Sequence, residues 1–161
     1  MATPTSLPAA VATGDTGTAA QFNGLRGAFR ILQVVQATTT TLTATSTTTW
    51  VDTTLTASIT PQSTSSKILV IPSHSLYNFT AGTEGGLRID RSGTVIFTQT
   101  ACGLNTGGSA VTQWMTQYLD SPATTSAVTY KTQQNRGGGA GTFYTQVNGN
   151  PATLILMEVS A

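Results

Sequence analysis

The residue types that most often do chemistry in proteins are scarce in this chain. His74 is the only histidine and Cys102 the only cysteine among 161 residues. A thiol becomes a nucleophile when a neighbouring base or cation lowers its pKa, and neither residue has such a group beside it in the sequence. We therefore predict that His74 lies at a strand end or on the surface, and that Cys102 is an inert thiol in a glycine-rich loop. One cysteine also excludes an internal disulfide and a multi-thiolate metal site.

The glycines and carboxylates form no motif of a known reaction. The segment 107–110 does not fit the nucleophile elbow of hydrolases, and the glycines 137–139 open no helix that could cradle a phosphate. No carboxylate or histidine cluster has the spacing of a metal site, and the paired carboxylates of glycosidases are missing. The chain is therefore predicted to be no enzyme and to need no metal or cofactor.

Two carboxylates are predicted to make structural contacts. Asp90 lies between Arg88 and Arg91, which predicts a surface ion pair across a hairpin. Glu158 is the only charge in an apolar segment near the end of the chain. A buried carboxylate needs compensating partners, so Glu158 is expected to meet an arginine, a lysine or backbone N–H groups.

The aromatic residues allow two interpretations, a glycan-binding surface or packing in the core and at a subunit interface. Exposed rings bind sugars, but most rings in folded domains pack against other apolar groups. The sequence favours packing and leaves the glycan site as the rival. The residues concerned are Trp50, Trp114, Tyr118, Tyr130 and Tyr144.

A mixed pattern in two segments predicts a subunit interface. Trp114 and Tyr118 share one face of the segment 111–119, whose other face mixes apolar residues with two glutamines. In the last segment, Ile155 and Met157 alternate with two leucines, so that both faces are apolar. Such mixtures are typical of strands at contacts between subunits. We predict an interface that includes Trp114, Tyr118, Ile155 and Met157.

The overall composition excludes several function classes and predicts an all-β fold. Charged residues are 8% of the chain and the net charge is +1, so there is no basic surplus for nucleic acid or a membrane surface. No apolar run reaches the 18 residues of a membrane span, and the N-terminus lacks the features of a secretory signal. The chain has 34 Thr and 16 Gly, which suit strands and turns better than helices.

Periodicity divides the chain into strands and turns. Residues 51–59 alternate strictly between apolar and polar faces, which predicts a strand with one wet side. Eight or nine strands with turn residues between them predict a single β-sandwich domain of jelly-roll type over residues 31–161. The predicted strands include 31–37, 67–77, a hairpin of 87–91 with 94–97, 111–119, 126–134, and a last hairpin of 142–147 with 152–159 around Asn148-Gly149.

An arm and a short helix are predicted to precede this domain and to anchor it. Residues 1–17 carry prolines and glycines without periodicity, which indicates an extended arm. Thr18 and Gln21 match a capping box, and Phe22, Leu25 and Phe29 follow at helical spacing, which predicts a helix over about 19–26. Two turns are marginal in isolation, so this stripe must dock on its own domain or on a neighbouring subunit.

Several stretches resemble structural proteins of tailed bacteriophages. Residues 12–35, with a glycine turn, Thr18-Ala19-Ala20, an asparagine and Leu25-Arg26, are similar to the N-terminal segment of many virion proteins of these phages. Four further stretches, together with Tyr130, are similar to a β-sandwich module of phage structural proteins. They are residues 55–61, 65–70, 119–122 and 156–159.

The resemblance implies a component attached to the outside of the virion and made in the cytoplasm of the bacterial host. Within that family the leading expectation is a capsid decoration, or cement, protein that stabilises the shell. A head or tail fibre that contacts a host glycan or receptor is the alternative. The resemblance also implies a homotrimer whose partners are its own copies and the major capsid protein or another virion protein.

Overall fold

The computed structural model describes residues 31–103, 107 and 110–160, which form strands and one short 3-10 turn. The predicted anchor of residues 1–30, with Phe22, Leu25 and Phe29, lies outside the described residues. No helix in the described part of the chain is long and apolar enough to cross a membrane. The elements are β1 (Ile31–Thr39), β2 (Thr43–Thr45), β3 (Val51–Ile59), β4 (Lys67–Asn78), β5 (Glu84–Arg91), β6 (Thr94–Cys102), β7 (Ala110–Met115), β8 (Tyr118–Asp120), β9 (Val128–Gly138), β10 (Phe143–Thr145), the turn Val147–Gly149, and β11 (Ala152–Val159).

The strands form two antiparallel sheets, which confirms the prediction of an all-β sandwich. The first sheet has the order β1-β11-β4-β10-β2, with β7 and β8 on the other edge of β4. The second sheet has the order β3-β9-β5-β6. Strand β3 buries Thr53, Leu55, Ala57 and Ile59 and exposes the residues between them, as its alternation predicts. The predicted hairpin at Ser92 and Gly93 joins β5 to β6, with both residues at positive φ.

In the first sheet, short segments lie end to end and act as long strands. β11 pairs with the first part of β4 and β10 with its last three residues, while β7 and β8 share the opposite edge of β4 in one continuous register. β1 and β2 continue one another along β11 and β10. The eleven segments therefore make eight long strands. Their order in the two sheets is 1-8-3-6 and 2-7-4-5, the arrangement of a jelly roll with two Greek keys.

Two local features interrupt the long strands that flank β4, one on each of its edges. Pro72 lies in the middle of β4, and its carbonyl accepts the Thr116 N–H at 3.3 Å. Because proline has no N–H to return, the ladder breaks between β7 and β8. On the other edge, Gln146 and Asn148 adopt left-handed φ values of 58°, and the Gln146 N–H donates to the Ser75 carbonyl at 2.9 Å.

The predicted last hairpin is therefore wrong. β10 pairs with β4 and β2 rather than with β11, because the turn at Val147–Gly149 is a bulge in one long strand and not a reversal of direction. The predicted strand 126–134 also ends later than expected, since β9 continues to Gly138 along β5.

The core between the sheets consists of two hydrophobic clusters. The larger one contains Leu55, Ile68, Val70, Ile89, Tyr130, Leu154 and Leu156, and the smaller contains Leu76, Leu87, Cys102, Trp114 and Phe143. The first half of β4 is fully buried on one of its two faces only. Ile68 and Val70 face the core, whereas Leu69 and Ile71 are half-buried on the outer side of the sheet.

Candidate functional site

His74 lies in the middle of β4 and is completely buried, so its predicted surface position is wrong. It shares the inward face with Ile68 and Val70, three and two alternations earlier. The Gln146 amide donates to Nδ1 of the ring, and Nε2 is 2.9 Å from the Thr132 hydroxyl. Burial lowers the pKa of His74 to about 4. The imidazole is therefore neutral at physiological pH and serves as a hydrogen-bonded part of the core.

Cys102 is buried at the end of β6 rather than in a loop. Its thiol donates to the Gly85 carbonyl at 3.3 Å. Burial raises the pKa of Cys102 to about 12, so the reactive thiolate does not form at neutral pH. In the described part of the chain, no three residues of the types His, Cys, Asp and Glu come together as a metal site.

The predicted ion pair of Asp90 with the flanking arginines is wrong. Asp90 is buried and accepts the Gly93 N–H at 2.8 Å, which closes the β5–β6 turn. Adjacent strand residues point to opposite faces, so Arg91 is directed away and binds Asp120 at 2.8 Å. The Tyr130 hydroxyl donates to the same carboxylate at 2.7 Å. This triad connects β8 of the first sheet to β5 and β9 of the second.

The prediction for Glu158 is confirmed by a backbone partner. The Gln62 N–H donates to one carboxylate oxygen at 2.7 Å, and the Gln33 side chain donates to the other at 2.6 Å. Burial raises the pKa of Glu158, but these hydrogen bonds outweigh it and keep the pKa below its usual value. The contact fastens the loop after β3 to the last strand.

The outer surface of the second sheet is polar, and we call it the polar face. Lys131 binds Asp52 at 2.8 Å, and Ser58 and Thr129 share a hydrogen bond of 2.7 Å. The Arg88 guanidinium lies 4.6 Å from the centre of the Trp50 ring. In these contacts, charged groups and hydroxyls on this side of the sandwich pair with neighbouring side chains.

The outer surface of the first sheet carries most of the exposed apolar side chains together with Gln36, Gln113 and Gln117, and we call it the apolar face. Val34, Met157, Leu69 and Leu119 oppose one another in register and form one row across all four long strands. Ile155 and Ile71 form the next pair along the strands. At the far end, the Phe79 ring packs edge-on against Tyr77 and Tyr144, with centroids 4.1 and 5.2 Å away.

Large side chains on this face are exposed to an extent that is unusual for a strand. Met115 is 72% exposed, Val111 61% and Leu119 55%. Where Pro72 interrupts the ladder, the surface has a depression of about 350 Å³ lined by Ile71, Met115, Thr116 and Gln117. Contiguous exposed apolar patches in soluble proteins mark interaction sites, so the apolar face is the candidate functional site.

The structure divides the four predicted interface residues between the core and the apolar face. Ile155 and Met157 lie on the apolar face. Trp114 is 5% exposed, and its indole N–H donates to Gln99 at 2.9 Å, while Tyr118 packs toward Phe97. Val111, Met115 and Leu119 are the apolar residues that point outward from β7 and β8, with Gln113 on the same side. Their alternation with Trp114 and Tyr118 is visible in the sequence.

The five aromatic residues considered for glycan binding are scattered. Tyr130 and Trp114 are in the core, and Tyr118 is half-buried above it. Tyr144 belongs to the aromatic end of the apolar face, and Trp50 lies on the polar face beneath Arg88. They do not converge on a single surface.

Comparison with known proteins gives similarities in structure only. No protein-family model matches the chain, and no curated protein matches it. The crystal structure of the infectious bursal disease virus VP2 subviral particle aligns at 16% identity over 81% of this chain and 38% of that one, with a TM-score of 0.42. T=1 particles derived from the same virus align at 16% identity over 81% and 37%, with a TM-score of 0.44.

A bacterial protein aligns with a similar TM-score. Dimeric latent PorU from Porphyromonas gingivalis aligns at 8% identity over 81% of this chain and 13% of that one, with a TM-score of 0.40. The chain thus spans well under half the length of each of these proteins.

Proposed function

We propose that this chain is a non-enzymatic structural protein of a tailed-phage particle, and that it decorates and stabilises the outer capsid shell. The observation that carries the proposal is the apolar face, an uncharged row of side chains across a jelly-roll sheet. The buried, neutral His74 and the buried thiol of Cys102 support a role without catalysis.

The stabilising effect of such a protein is additive. Many copies bind the closed shell and not the opened one, so their binding free energy adds to the cost of opening. With charged residues at 8% of the chain, adhesion depends on buried apolar area and hydrogen bonds. The Thr- and Ser-rich composition supplies hydroxyls for the hydrogen bonds, and the apolar face supplies the area.

In this proposal one part of the chain binds the shell and a different part contacts other copies of the protein. Residues 1–30 bind the major capsid protein or another virion protein, with Phe22, Leu25 and Phe29 as the buried stripe. Each such side chain contributes on the order of 1.5–3 kcal/mol when it is fully buried. The apolar face remains available for contact with a second copy of the chain.

A fibre or appendage that contacts the host surface is the second candidate. The observation in its favour is the polar face, where Trp50 lies among Arg88, Gln133 and Asp52. Arg88 donates to Gln133 at 2.6 Å, and Gln133 donates to Asp52 at 2.5 Å. Aromatic rings beside amides and charges are the groups that bind sugars.

The position and number of copies on the particle distinguish the two candidates. An electron-microscopy map of the virion should show many copies distributed over the head, which is the decoration role. A few copies confined to the tail would contradict decoration and support the appendage. Absence of the chain from the purified particle would overturn both.

Attachment to the particle should depend little on ionic strength. Few charges are available to be screened, so retention on virions should stay nearly constant from low to molar salt. The measurement is the fraction that sediments with the particles after each wash. Release by moderate salt alone would show that ion pairs hold the protein in place.

A further inference from the structure

We infer that the apolar face of one copy packs against the apolar face of a second copy. The inference deepens the proposed function, and rests on it in taking the chain to be an assembly subunit. The partner of the apolar face is another copy of the same chain, and the first sheets of the two copies stack on each other.

The chemistry of the face suits an apolar partner. The row of Val34, Met157, Leu69 and Leu119 presents no charge. Lys67, at one end of β4, directs its ammonium to the Ser121 hydroxyl at 2.6 Å. A partner with a charged surface would have to desolvate its charges here without compensation.

The size of the face matches what an interface between two proteins requires. β4 has 12 residues, which corresponds to about 40 Å at about 3.3 Å per residue. Four long strands at about 4.8 Å spacing cover about 19 Å. The product, about 760 Å², is close to the roughly 800 Å² that each partner buries in a standard interface.

The arrangement of side chains is self-complementary about a two-fold axis. The aliphatic row lies at one end of the face and the rings of Tyr77, Phe79 and Tyr144 at the other. Between them, the hydroxyls of Ser73 and Thr153 bond each other at 2.7 Å, so they need no partner across the interface. A two-fold axis near this pair places the aliphatic end of each copy on the aromatic end of the other.

The alternative partner for the apolar face is the segment 18–29 of the same chain. Phe29 precedes the first residue of β1 by two positions, so that segment is within reach of the face. Its one stripe of three side chains would cover one row, whereas a second copy covers the whole face. The area therefore favours the second copy.

The test measures the mass of the full-length chain free in solution by sedimentation equilibrium. We expect a dimer for the unchanged chain and a monomer for Leu119→Asp and Met115→Asp. Both side chains are more than half exposed, so the variants should still fold, which thermal unfolding verifies. The control is Thr56→Asp on the polar face, which should keep the oligomeric mass.

A second measurement reports the geometry directly. A spin label on Met115→Cys should be within about 20 Å of the label on the second copy, because stacked sheets are about 10 Å apart. A label on Thr56→Cys should be more than about 30 Å from its counterpart, since it lies on the far side of each sandwich. Cys102 is buried and stays unlabelled.

Three outcomes would overturn the inference: a monomeric full-length chain, face variants that keep their oligomeric mass, or a chain that associates only after Phe22→Asp uncovers the face. The free chain is measured without particles, so failure here is separate from failure of the proposed function. An oligomer that never binds virions would contradict decoration and leave the pairing intact.

Discussion

Lowering the pH from neutral to 4.5 should reduce the free energy of unfolding by about 2–3 kcal/mol through His74 alone. In the folded state burial lowers the pKa of this imidazole to about 4, while the unfolded chain binds a proton near pH 6.5. Between these values the unfolded state holds the extra proton, so stability falls as the pH falls. Above pH 6.5 both states are neutral and the effect disappears.

No other imidazole titrates in this pH range, because His74 is the only histidine. Urea unfolding at closely spaced pH values measures the slope, and His74→Gln is the matched variant. Its stability at neutral pH will be lower, but between pH 6.5 and 4.5 its curve should be nearly flat. Glu158 does not interfere, since its lowered pKa gives stability that is lost only below about pH 4.5. An equal slope in both proteins would contradict the prediction.

Asp120→Ala should destabilise the fold by about 3–5 kcal/mol, the loss typical of breaking a buried ion pair from one side. The substitution leaves the Arg91 guanidinium and the Tyr130 hydroxyl without their shared acceptor. Both groups lie where the two sheets meet, so the loss also loosens the contact between β8 and the second sheet. Chemical denaturation of the two proteins gives the difference.

The chain contains a matched control for this experiment. Lys131 and Asp52 form a second ion pair with the same 2.8 Å separation, but their side chains are 32% and 52% exposed. Exposed pairs contribute at most about 1 kcal/mol, so Asp52→Ala should have a small effect. Similar losses in Asp120→Ala and Asp52→Ala would show that burial is not what gives the triad its strength.

Local patterns in the sequence predicted those features that depend on neighbouring residues. The alternation in β3 and the Ser92–Gly93 hairpin follow from side-chain periodicity and turn chemistry, and both are confirmed. The buried position of His74 is also present in the sequence, because it has the same parity as Ile68 and Val70. Its residue type favours the surface, whereas the alternation along β4 places it in the core.

Other features depend on partners that are far away in the chain and could not be predicted locally. Asp120 is Arg91's partner across 29 positions, and nothing near Arg91 indicates it. The Asn148-Gly149 turn has the residues of a hairpin, but the flanking strands both pair with β4. The interface predicted for Ile155 and Met157 stays a prediction, because alternation shows which residues share a side of the sheet but not which side another molecule covers.

The pairing of β1 with β11 has a consequence for how the protein is made. Residue 31 lies beside residue 159 in the finished sheet, so β1 leaves the ribosome long before the strand with which it pairs. Until then β1 and β4 each have an open edge toward the place of β11. Folding therefore follows synthesis of residue 159 instead of accompanying it, and nascent chains on one messenger are exposed to one another throughout that interval.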